Sequence, residues 1–116
     1  MTSSAKIIFS VSWDANLAES RVQLFRYAGF TVRSAVGEAD ALASCDEKAD
    51  LMVLCHSIPR DTKRLLIQEF RENHSAPVLS LLRPGESKLP EATHGVDAME
   101  PVAVLTAVRD IFSNGS

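Results

Sequence analysis

The feature that most constrains this chain is a repeated change of hydrophobic period. The runs "AKIIFSV" (5–11), "DLMVLCH" (50–56) and "PVLSLL" (77–82) are short and apolar nearly throughout. A strand of that kind is covered on both faces, whereas a half-exposed strand alternates. "FTVRSAV" (30–36) does alternate, and "VDAM" (96–99) is a short fifth run. Helical spacing fills the intervals. Leu17, Ala18, Val22, Leu24, Phe25 and Ala28 recur on one side of a helix from Ala15 to Ala28. Asp14 is placed to cap its start and Gly29 to end it. Ala39, Leu42, Ala43 and Cys45 predict a helix over 38–48. Leu65, Leu66, Ile67 and Phe70 predict another over 61–72, with Asp61 or Thr62 as cap. Pro101 opens the last, where Val104, Leu105, Val108, Ile111 and Phe112 form a stripe.

Strand and helix thus alternate five times. Strands buried on both faces and joined by helices make a parallel sheet, and right-handed crossovers wind it into a three-layer α/β sandwich. The site of such a fold lies at the carboxyl ends of the strands. Cys55 and His56 belong there, beside Ser12 to Asp14. The interval "RPGESKLPEATH" (83–94) breaks the pattern with Pro84, Gly85 and Pro90. The fourth helix is therefore short or disrupted, at most a turn or two from about Glu86.

Length and charge limit the function. The 116 residues suffice for one domain, with a core over about 5–112 and a frayed tail at 113–116. The net charge of −3 and the lack of a long basic run argue against direct nucleic-acid binding. No apolar run approaches the roughly 18 residues that a membrane span needs. The start "MTSSAK" does not read as a leader, so a cytoplasmic location is expected. Cys45 and Cys55 are expected to be reduced thiols.

Several segments in order resemble the receiver domain of bacterial two-component response regulators, the CheY-like family. They are "KIIFSV", "YAGFTVRSA", "ADLMVLCHSIP", "APVLSLL" and "GVDAMEP", spread over Lys6 to Phe112. The resemblance implies a flavodoxin-like sheet of order 2-1-3-4-5. It also implies a phosphorelay role, and here the departures matter. The positions of the two metal-binding acids hold Val11 and Ser12. The phosphoacceptor position holds Cys55, and the two switch positions hold Leu82 and Glu100. Phosphoryl transfer needs a carboxylate acceptor and a cation held by hard oxygen ligands. None of these five residues serves that chemistry, so the chain resembles the degenerate, pseudo-receiver branch, with no metal and no other cofactor.

Each remaining candidate has an ordinary reading beside the functional one. Cys55 is expected to be a packed, inert thiol, because His56 points to the opposite face unless the strand has already ended. Trp13 either covers the vacated metal pocket or is an exposed contact residue. Arg60, Lys63, Arg64 and Arg83, with Lys88 nearby, form either a solvated face or a rim that binds a small anion. No nucleophile, base and orienting group can be assembled, so an enzyme is not expected. The expected role is a pseudo-receiver that works through protein–protein contact. Its partner is another protein or an output domain in a longer chain, and its last helix leaves homodimerisation open. The alternatives are a thiol- or anion-responsive sensor and a receiver fragment of a larger regulator.

Overall fold

The computed structural model describes residues 6–114. Five strands, β1 (Ile7–Ser12), β2 (Thr31–Val36), β3 (Leu51–Leu54), β4 (Val78–Leu82) and β5 (His94–Asp97), form one parallel sheet of order β2-β1-β3-β4-β5. Four helices join or follow them: α1 (Ala15–Tyr27), α2 (Glu38–Ser44), α3 (Arg60–Arg71) and α4 (Pro101–Asn114). This is the expected α/β architecture and strand order.

Alternation along the central strands builds two cores. Phe9, Val11, Met52, Leu54 and Val78 face one side with Ala41 of α2 and Leu66, Ile67 and Phe70 of α3. Ile8, Leu51, Val53, Leu79 and Leu81 face the other with Val22 and Phe25 of α1 and Val104, Val108 and Ile111 of α4. Because side chains switch faces at every residue, runs apolar throughout are what a doubly covered sheet requires.

The ends of α1 follow from their residues. The Asp14 carboxylate accepts from the amides of Asn16 and Leu17 and caps its start. At its close, Phe30 N–H donates to Phe25 O and Gly29 N–H to Arg26 O. That Schellman pairing needs a left-handed residue, and Gly29 supplies it at φ 98°.

Several boundaries differ from those read in the sequence. The second helix stops at Ser44 rather than 48, where Arg33 donates to Ser44 O and Lys48 O and draws the chain into a turn. The third helix begins at Arg60 behind Pro59 with no side-chain cap, so Asp61 and Thr62 lie inside its first turn. β5 begins two residues early, because Thr93 pairs with Val78 through both its backbone and its hydroxyl. The third strand stops at Leu54, and Cys55 and His56 follow it. The last helix runs to Asn114, so Ser113 and Asn114 are not a frayed tail. Ala5 of the first expected strand and residues 115–116 of the tail lie outside the described residues.

No helix forms between β4 and β5. Residues 83–93 make an irregular strap that contains turns and bends but no helix or strand. Leu89 and Ala92 are buried in the α3-side core, where they take the place of a helix's apolar face. Gly95 of β5 lets the strap lie close: a Cβ there would stand 3.1 Å from both Leu82 Cδ1 and Lys88 Cβ.

Candidate functional site at the carboxyl edge of the sheet

The carboxyl ends of β1, β3 and β4 bring together Ser12, Trp13, Cys55, His56, Ser57 and Arg83. Ser12 closes β1, and its hydroxyl accepts from the Asp14 amide at 3.1 Å and lies 3.4 Å from Ser57 Oγ. The Trp13 amide donates to Ser57 Oγ at 3.1 Å. Neutral hydroxyls therefore tie β1 to the turn after β3. Trp13 is half-buried and packs against the α3-side core. Val11 is wholly buried and offers no oxygen. Among the described residues, no group of three His, Cys, Asp or Glu side chains converges on a point where a metal ion would sit.

Cys55 is 2% exposed, and its amide donates to Val11 O at 2.9 Å. Because β3 ends at Leu54, the opposite-face argument fails: Cys55 Sγ lies 3.6 Å from His56 Nδ1. Burial, followed by the charges of Arg21, Arg83 and Lys63, holds His56 below its ordinary value. A thiolate is stabilised by an adjacent imidazolium, and these surroundings favour the neutral ring. The contact is thus closer than the sequence suggested but lacks the charge that would activate the thiol.

Leu82 and Glu100, the residues at the expected switch positions, both have local roles. Leu82 ends β4 half-buried, in the contact with the strap described above. Glu100 is exposed at the start of α4, and its carbonyl accepts from Val104 N–H at 3.0 Å. An acid at a helix N-terminus is favoured by the exposed amides there.

The expected basic rim is organised differently. Lys63 is not on a rim: it is 0% exposed. Its ammonium donates to Ser80 Oγ at 2.9 Å and to Leu81 O at 3.0 Å, and pairs with Glu86 Oε2 at 3.4 Å. Arg60 donates to Ser87 O at 2.6 Å and lies 3.5 Å from Glu86. Arg64 pairs with Glu91 at 3.3 Å. Arg60, Lys63 and Arg64 stand at i, i+3 and i+4, one face of α3. All three hold the strap. Arg83 donates from Nε to His56 O at 2.9 Å, and its amide donates to Glu86 Oε1. Lys88 donates to Leu89 O and Ala92 O within the strap.

Sequence reading missed Glu86, Ser80 and Ser57. One signal was available for Glu86, an acid in a helix-breaking segment of a fold whose site lies nearby. Nothing in the sequence distinguishes Ser80 or Ser57 from other strand and turn serines. An open cleft of about 390 Å³ remains between the turn after β3 and the start of the strap, lined by His56, Pro59, Arg60, Arg83 and Glu86. A larger cavity of about 770 Å³ lies at the other end of the sheet, between β5 and α4, away from these residues.

No family model matches the sequence, and no curated protein matches it. Among solved structures, 104 chains match. A two-component response regulator from Clostridium difficile superposes with a TM-score of 0.77 at 13% identity, over 96% of this chain and 98% of its own. A CheY-like response regulator receiver domain protein from Methanospirillum hungatei gives 0.76 at 18% identity, over 92% and 93%. The response regulator TrrA of Thermotoga maritima, solved with Mg²⁺ and beryllofluoride, gives 0.75 at 19% identity, over 91% and 98%. The fold is that of CheY-like receiver domains over nearly the full length of each.

Proposed function

We propose that the chain is an atypical receiver domain of two-component-type signal transduction that takes up no phosphoryl group at Cys55 and acts by contact with another protein. The content of the carboxyl edge carries this reading. The sheet has the strand order of a receiver, yet the five positions that correspond to the reacting residues of that family hold Val11, Ser12, Cys55, Leu82 and Glu100. Neutral hydroxyls and an amide bond one another where a dication would need oxygen ligands of full negative charge.

The same scaffold supports a role in recognition. A histidine kinase bound to its response regulator is among the solved chains of this fold, with a TM-score of 0.76 at 18% identity. A protein partner, or an output domain in a longer chain, is the corresponding proposal here. Met99 and Val102 are exposed apolar residues at the junction of β5 and α4 and are the residues we assign to such a contact. No helix is long and apolar enough to cross a membrane among the described residues.

The test is titration with Mg²⁺ and beryllofluoride, followed by amide NMR. The amides of Cys55, Leu82 and Glu100 are expected to stay in place. Saturable shifts at these positions would overturn the proposal.

A further inference from the structure

The strap that replaces the fourth helix is fastened by a buried charge. We propose that residues 83–88 form a latch, closed by the Lys63–Glu86 pair and opened when Glu86 loses its charge. This rests on the geometry of α3 and the strap and not on the signalling role.

The latch has one deep attachment and several shallow ones. Lys63 Nζ is fully buried, with three acceptors: Ser80 Oγ, Leu81 O and Glu86 Oε2. Only Glu86 among them bears charge. Arg60 to Ser87 O and Arg83 to His56 O are exposed, and exposed contacts hold little. Beyond residue 88 the strap is anchored by buried Leu89 and Ala92. The segment free to move is therefore 83–88, and Gly85, at φ 82°, stands within it.

Cations and an amide donor surround the Glu86 carboxylate. Arg60 and Lys63 face Glu86 from α3, and the Arg83 amide faces it from the strap itself. From the end of β3, the His56 ring lies within reach of the charges of Glu86 and Lys63. Neutralising Glu86 leaves the Lys63 ammonium buried beside two neutral oxygens. A buried ion without its counter-charge is strongly disfavoured. Water reaches Nζ most directly if 83–88 swings outward, and that movement widens the cleft bounded by His56, Arg60 and Arg83.

Hydrogen exchange measured at one pH on three proteins decides the matter. In Glu86→Gln, exchange across 84–88 is expected to rise by about tenfold or more, with peptides of β1 and β3 unchanged. In the double variant Lys63→Met with Glu86→Gln the buried charge is gone, and exchange is expected within about threefold of the parent. Unchanged exchange in Glu86→Gln would overturn the latch. So would a uniform rise across the whole molecule, or a double variant as open as the single one.

Discussion

Lys63 Nζ and Glu86 Oε2 lie 3.4 Å apart, with the lysine wholly buried and the glutamate half-buried above it. One member comes from the first turn of α3 and the other from the strap, 23 residues later. The pair places a fixed cation under the carboxyl end of β4, bound to Ser80 and Leu81. At the same edge, the residue before α4 is the acid Glu100. The cation of this site therefore comes from α3 and is neutralised within the chain.

Stability should fall in two stages on acidification. Burial, then Arg21, Arg83 and Lys63, holds His56 below 6.5, so the unfolded chain takes up that proton first. The His56 contribution is complete above about 6.5 and is lost as pH falls through the depressed value. Burial works to raise Glu86, but the Arg83 amide, Lys63 and Arg60 outweigh it and hold the carboxyl below 4.5. Its contribution is present above 4.5 and is lost as pH falls through the lowered value. Urea midpoints between pH 3 and 8 should show both losses. His56→Gln should remove the upper one and Glu86→Gln the lower one. A midpoint that does not change with pH in the parent protein would contradict both assignments.

Much of the fold was legible because its signals are local. Apolar runs gave β1, β3 and β4, Asp14 and Gly29 marked the ends of α1, and Pro84 and Pro90 removed the fourth helix. The strand ends were less legible. Cys55 continues the apolar run, but the pairing of β3 with β4 runs from Met52 to Leu54 and ends before it, and that limit is set by contacts between strands rather than by the run itself. The basic residues of α3 were visible as charges but not as a clasp. That role depends on Glu86 and Glu91, which are brought opposite α3 by a strap without periodicity.

The strap's apolar anchor makes a second prediction. Leu89 is 1% exposed inside the α3-side core. Leu89→Ala should cost about 2–5 kcal/mol, as for other buried leucines. A loop leucine outside a core would change stability by no more than about 0.5 kcal/mol, and that result would contradict the packing.

Both thiols should react slowly. Burial, with Glu69 and Asp46 adding to it and Arg33 opposing, pushes the Cys45 thiol up, and Cys55 sits against a neutral imidazole. Labelling with a thiol probe at neutral pH should be at least about tenfold slower in the native protein than in urea. Native labelling of Cys55 as fast as in the unfolded chain would favour a thiol-responsive role.

Replacing the acceptor alone should not restore the reaction. Cys55→Asp supplies one carboxylate, but Val11 and Ser12 still offer no acid to hold a dication, and Glu100 still stands where a lysine would pair with the phosphoryl group. Amide shifts on adding Mg²⁺ to this variant should remain absent up to about 10 mM, well above the concentrations that fill dedicated acidic sites. Saturable binding below that concentration would show that another residue supplies the missing ligands.

The most direct measurement is the intact mass of the native protein after incubation with acetyl phosphate and Mg²⁺. The expected result is an unchanged mass. The gain of one phosphoryl group, stable or labile, would contradict the proposal that this receiver fold works without phosphorylation.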